Sequence, residues 1–227
     1  MGLKESGEAT EWQEIGRDDH GGSWIAYPDE TMERASHALV GDDGGVWVID
    51  PVDVEGLDDL LADFGEVAGV VVLLDRHKRD SAAVANRHDV SVWVPEFMDG
   101  VVEELDAPTE RFRYELGESG YIVHTVVDSS FWQEALLYHE THRILVVPES
   151  LGTAEYFLTS KEELGVHPMK RLTPPRILTR FDAEQVRVGH GKGIYTGAAP
   201  AIREAVERSR TGTPALMAKT VRGFLPF

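Results

Sequence analysis

Five aliphatic residues in succession, Val70-Val71-Val72-Leu73-Leu74, run directly into the charged stretch Asp75-Arg76-His77-Lys78-Arg79-Asp80-Ser81. No other feature of the chain constrains its fold as tightly. An aliphatic run without alternation puts apolar side chains on both faces, the pattern of a strand buried between two layers. The stretch Ala82 to Arg87 that follows reads as helix. The ionisable groups therefore occupy a loop where a buried strand gives way to a helix.

Short apolar segments separated by turn residues recur on either side. Ser23–Tyr27, Ser36–Val40 and Val46–Ile49 are predicted strands, the last two joined by a tight turn at Gly41-Asp42-Asp43-Gly44-Gly45. Leucines at 57, 60 and 61 give the stretch from Asp53 to Phe64 helical spacing, with Asp53 as the expected N-cap. Ser91–Val94 is a further expected strand. The second half opens with predicted strands at Arg111–Glu115 and Gly120–Val127, then a hairpin of Ala135–Tyr138 and Ile144–Val147. A polar, proline-bearing stretch from Ser160 to Pro175 is expected to be surface helix and loop. Gln185–Val188 is a short strand, Ala198 to Arg210 an amphipathic helix with Pro200 in its first turn, and Pro214–Val221 a separate short helix. One domain covering residues 1–227, with two similar halves, fits this order best.

Charge narrows the setting. Forty acidic residues against 22 basic ones give a formal net charge of −18, and the basic set is mostly Arg. Such a charge repels itself in dilute buffer, a cost that fades at molar salt, where the Debye length falls to about 3 Å. The composition points to a salt-adapted protein of haloarchaeal type. Nucleic acid is disfavoured as a partner because phosphate would be repelled. With no cysteine, the chain has no disulfide, thiolate or Cys-based zinc chemistry. No apolar run approaches the roughly 18 residues that span a bilayer, and Met1 to Thr10 has no signal-peptide core. A cytoplasmic protein without membrane contact is expected, and a homodimer is compatible with the sequence.

Four elements resemble the metallo-β-lactamase superfamily in order and spacing. They are the hairpin Leu39 to Pro51 ending in Ile49-Asp50-Pro51; the buried strand leading into Asp75–Ser81; Asp128-Ser129-Ser130 with the hairpin after it and Pro148-Glu149; and Val188-Gly189-His190-Gly191. The resemblance implies an αββα sandwich, two mixed sheets packed face to face with helices on both outer faces (an α/β, or α+β, fold). It also implies a cleft where the loops at 75–81, 128–132, 149–153 and 189–193 converge.

The superfamily's His-x-His-x-Asp-His loop is degenerate here. In one register its histidine slots fall on Arg76, Lys78 and Ser81, with Asp80 retained. The middle histidine slot falls on Ser130 and the bridging carboxylate on Glu149, and His190 is kept. A register shifted by one puts His77 in a ligand slot beside Asp75 and Asp80, with Arg79 where the superfamily has Asp. One histidine and one carboxylate leave a zinc shell of three or four ligands unfilled. The expectation is therefore no metal and no cofactor, with Arg76 and Lys78 supplying the positive charge and Asp80 and Glu149, with Asp75 as a further candidate, compensating it. Such a pocket could take a small anion through Arg76, His77, Lys78, Ser130, Glu149 and His190. The residue inventory favours a diverged, non-catalytic or anion-binding protein. The alternative is a hydrolase of ester, thioester or phosphoester bonds in which His77, Asp80, Glu149 and His190 hold one zinc or other divalent ion, or act as acid and base; its catalytic candidates are Asp80, Glu149 and His190. His139-Glu140-Thr141-His142 reads as a solvated hairpin turn, and His20, His37, His88, His124 and His167 show no ligand spacing.

Overall fold

A computed structural model describes Ala9 and residues 11–224. The reading of Met1 to Thr10 thus lies outside the described residues, Ala9 apart. Among the described residues thirteen strands form two main sheets and a two-stranded ribbon. In the first sheet, β1 (Trp12–Asp18), β2 (Gly21–Ala26), β3 (Ala35–Val40) and β4 (Val46–Ile49) make an antiparallel meander. Then β5 (Val67–Val71), β6 (Val92–Pro95) and β7 (Thr109–Phe112) add in parallel, in chain order. Parallel neighbours need crossovers, and α1 (Leu57–Ala62), α2 (Ser81–Arg87) and α3 (Asp99–Val102) supply them. Leu57, Leu60 and Leu61 of α1 are buried, as their spacing predicts. The helix starts four residues after Asp53, however, with Gly56 at the N-cap in a left-handed conformation. Asp53 instead binds its own neighbour's amide, Val54 N, and Arg87.

The second sheet has the order β13-β10-β9-β8. It comprises β8 (Tyr121–Ser129), β9 (Trp132–His139), β10 (Ile144–Val147) and β13 (Gln185–Val188), the last parallel to β10. Alternation along these strands divides the interior in two. Ala135, Leu137, Ile144 and Val146 face the core shared with the first sheet, while Leu136, Leu145, Val147, Val186 and Val188 face the other way. That outer face is covered by α4 (Ala198–Phe224) through Ala198, Ile202, Ala205 and Val206. The expected αββα sandwich is present. The two helices expected at 198–210 and 214–221 are one continuous helix with Pro214 inside it. The polar stretch 160–175 is loop with one 3-10 turn at Pro168–Lys170 and β12 (Gly165–Val166), which pairs with β11 (Leu151–Gly152). Fully buried Arg171 pins this stretch, donating to the Ser209 and Phe157 carbonyls and pairing with Glu162.

Polar ties join the sheets where β13 meets β2 and β3. Buried Arg187 reaches Asp18 at 3.1 Å and the Ala38 carbonyl at 3.3 Å. His37 lies 2.7 Å from Ser23 Oγ and 3.2 Å from the Val188 carbonyl. These ties bring the ends of β4, β5, β10 and β13 to one rim.

Candidate functional site

Asp50, just past β4, has φ 45°, a left-handed conformation that costs a non-glycine residue about 1 kcal/mol or more. Its surroundings hold it there: its N–H donates to Val71 O at 2.9 Å, and its Oδ1 accepts from Leu73 N at 2.9 Å. Oδ2 lies 3.0 Å from Nδ1 of His77, whose Nε2 is 3.1 Å from Glu149 Oε2. Glu149 follows β10 and is fixed from below by Glu134. That fully buried carboxylate accepts from Glu149 N, Ser150 N, Ser150 Oγ and Trp132 Nε1 at 2.5–3.1 Å. Burial pushes the Glu134 carboxyl up, with these four hydrogen bonds opposing.

His190 follows β13 and is fully buried. Its Nδ1 lies 2.8 Å from the Met32 carbonyl and its Nε2 3.2 Å from Glu149 Oε2. Gly189, beside it, has no room for a side chain: a Cβ would strike the Pro148 carbonyl and lie 3.2 Å from His77 Cε1. A third imidazole, His167, comes from the loop before the 168–170 turn. Its Nδ1 accepts from Met169 N at 3.2 Å, and its Nε2 is 3.1 Å from Glu149 Oε1.

The partners assign the tautomers. A backbone N–H donates to Nδ1 of His167, so its proton is on Nε2 and points at Glu149. At His190 the Met32 carbonyl can only accept, so Nδ1 carries the hydrogen and Nε2 presents a lone pair. In its neutral form His77 takes the same arrangement, with Nδ1–H on Asp50. A lone pair and a carboxylate oxygen about 3 Å apart repel unless a proton or a cation lies between them. Burial pushes the His190 imidazolium down, against the proton, although Glu149 opposes that shift. Nδ1 held by a carboxylate or a backbone carbonyl is the outer-shell arrangement of metal-binding histidines. The ligand atoms of His77, Glu149 and His190 lie within 4.8 Å of one another, so this donor set fits one divalent cation.

It does not fit two. Arg79 (φ 42°) donates through Nη1 to Ala35 O at 2.5 Å and Asp50 O at 2.8 Å, and through Nη2 to Gly189 O at 3.2 Å. Burial lowers the pKa of this guanidinium, with Asp50 opposing, yet arginine stays charged in proteins and would repel a second dication.

The structure therefore follows the shifted register, with His77 in the site and Arg79 beside it. The fixed cation against the cluster is Arg79, not Arg76 or Lys78. Lys78 turns to Glu104 at 2.9 Å, and Arg76 stands at the mouth over Trp132. Asp80 accepts from Asp53 N at 2.9 Å, apart from the cluster. Ser130 lies exposed on the β8–β9 turn, and Asp75 accepts from Gln133 N. Glu149 and His190 are where the sequence places them. Asp50 and His167 were not legible as parts of the site: His167 has no spacing to any other ligand and arrives only through the turn at Pro168. The cleft above the cluster holds about 430 Å³, with Met32, Arg34, Trp132 and Met169 among its walls, a volume suited to a small molecule.

A second imidazole–carboxylate cluster forms at the opposite end of the sandwich. His139 Nε2 and His142 Nε2 lie 3.3 and 3.6 Å from Asp42 Oδ1, and the His20 ring stacks on His142 at 3.9 Å. His139 is buried, which corrects the reading of this turn as wholly solvated. Here His142 N donates to Nδ1 of His139 at 3.3 Å. The proton is thus on Nε2 and is given to Asp42.

Solved structures carry the same architecture. A DIM-1 metallo-β-lactamase superposes with TM-score 0.63 at 14% identity, covering 91% of this chain and 100% of that one. A metallo-β-lactamase from Pontibacter korlensis gives 0.62 at 13%, covering 88% and 99%. A putative diflavin flavoprotein from Nostoc sp. PCC 7120 gives 0.61 at 14%, covering 90% and 98%. No family profile and no curated protein sequence matches the chain. The chain has the metallo-β-lactamase fold.

Proposed function

We propose that the protein holds one divalent cation on His77, Glu149 and His190 and hydrolyses an ester, thioester or phosphoester bond in the cleft above them. The observation that carries this reading is the pinning of both Nδ1 atoms, to Asp50 and to the Met32 carbonyl, which turns two Nε2 lone pairs onto one carboxylate. A cation bound there would polarise a carbonyl or phosphoryl oxygen and acidify a bound water. The chain's own residues supply the rest. His167 donates to Glu149 and fixes its orientation, Glu134 fixes the backbone beneath it, and Arg79 holds a permanent positive charge against the cluster.

A second reading, a non-catalytic protein that binds an anion, is favoured by Arg79, which stands where the superfamily's loop has a ligand carboxylate. The two separate in assay. Activity on 4-nitrophenyl esters or phosphoesters in concentrated KCl, dependent on added Zn²⁺ or Mn²⁺ and lost in His190→Ala, supports hydrolysis. No turnover with any pairing of metal and substrate sinks it. Among the described residues no helix is long and apolar enough to cross a membrane.

A further inference from the structure

The two cations at the mouth of the cleft are held differently from those that sit on carboxylates. Lys78, Arg87 and Arg143 sit on carboxylates of Glu104, Asp53 and Asp182, as expected in a chain of net charge −18. At the mouth, two cations share an indole instead. Arg76 Cζ lies 4.2 Å, and Lys170 Nζ 4.4 Å, from the centroid of Trp132, whose Nε1 is anchored on Glu134. Among the described residues Lys170 forms no ion pair, and Arg76 reaches only Asp75, at 3.9 Å. Phe131, whose carbonyl accepts from Arg76, is 87% exposed, and Met169, in the cleft wall, is 78% exposed. Large apolar side chains left bare beside two cations that have one long ion pair between them, Arg76–Asp75, make a rim that is basic and apolar together.

We infer that this rim selects a small organic anion, a carboxylate or phosphate carried on an aromatic or aliphatic group. The charge lies at Arg76 and Lys170, and the apolar part rests on Phe131 and Met169. Charge-assisted contacts to the anion orient it, and the apolar contact adds affinity in proportion to the area it covers. The inference names the substrate class for the hydrolase reading and rests on it for its bearing on turnover. Binding can be measured separately.

Isothermal titration calorimetry with two anions that cannot be hydrolysed, 1-naphthoate and 1-naphthylmethylphosphonate, distinguishes carboxylate from phosphate. The neutral 1-naphthalenemethanol and inorganic phosphate are the comparators. At least one naphthyl anion is expected to bind roughly tenfold more tightly than either comparator, and to weaken as KCl rises. Arg76→Gln and Lys170→Gln should each weaken it roughly three- to tenfold, Arg76→Lys should restore part of the loss, and Phe131→Ser should weaken the naphthyl anions without changing inorganic phosphate. Equal affinity for the neutral alcohol, or unchanged anion binding in the Arg76→Gln/Lys170→Gln double variant, overturns the inference. Anion binding that depends on these two residues in a protein without turnover keeps the inference and removes the hydrolase. Turnover whose KM for anionic esters ignores both substitutions does the reverse.

Discussion

Histidines and a carboxylate gather at both ends of the sandwich, joined by β9, which runs from Trp132 beside the cleft to His139, about 23 Å at the usual strand rise. By residue type the clusters are close to interchangeable: His77, His190 and Glu149 at one end, His139, His142 and Asp42 at the other. They differ in what touches the far nitrogen of His77 and His190 on one side and of His139 on the other. At the cleft, acceptors hold Nδ1–H, so lone pairs converge on Glu149. At the other end a backbone N–H donates to Nδ1 of His139, so its Nε2–H is spent on Asp42. The placement of a ring hydrogen, set at His139 by a backbone N–H and at His77 and His190 by acceptors, separates a candidate cation site from a hydrogen-bonded clasp. Composition and spacing carry none of that information.

The contrast can be broken by experiment. Glu149→Gln should lower Zn²⁺ or Mn²⁺ affinity by about two orders of magnitude or more in calorimetric titration, because it removes the only anionic ligand, whereas His142→Ala should leave the stoichiometry unchanged. An ion lost from His142→Ala and kept in Glu149→Gln would invert the comparison. Asp50→Asn tests the tautomer itself. It should leave the fold intact and weaken metal affinity about 10- to 100-fold, the usual cost of losing an outer-shell partner; an unchanged affinity would remove the argument from Nδ1.

His37 offers another imidazole held by the fold. Burial, with Arg187 and Arg79 adding to it, depresses its pKa from 6.5 to about 3. The folded state keeps the ring neutral while the unfolded chain takes up a proton below 6.5. Its contribution is therefore whole above about pH 6.5 and declines as pH falls toward 3, by about 1.4 kcal/mol per unit. Denaturant midpoints at pH 7.5 and 5.5 should diverge by that order more in wild type than in His37→Gln, and identical pH slopes would contradict this. The smallest effect is expected from His142→Ala on stability, within about 0.5 kcal/mol, because its partner Asp42 is largely exposed. A drop of several kcal/mol would show the outer clasp to be structural.

Burial alone does not fix a strand's bounds: the aliphatic run Val70–Leu74 is wholly buried, yet the strand there is Val67–Val71, three residues earlier. Val46–Ile49, Ile144–Val147 and Gln185–Val188 match in full. The edge strand Trp12–Asp18 escapes notice: it is half-exposed and mixes Gln, Glu and Arg among its apolar residues. The start of α1 is misplaced because Asp53, a good cap by type, is engaged by Arg87 thirty-four residues away. In the site, His77 is visible only once the loop is shifted by one residue. The left-handed turn at Arg79 that aims its guanidinium at three carbonyls belongs to tertiary structure. His167 could not be assigned from sequence at all, since its distance to Glu149 is set by a turn and not by any period.

Arg79 has one more consequence. A charge carried on a side chain travels with the polypeptide: chelators cannot strip it, scarcity cannot deplete it, and no competing ion can displace it. Whatever the cleft does, part of its electrostatic field is inherited at synthesis and does not wait on the supply of a soluble ion.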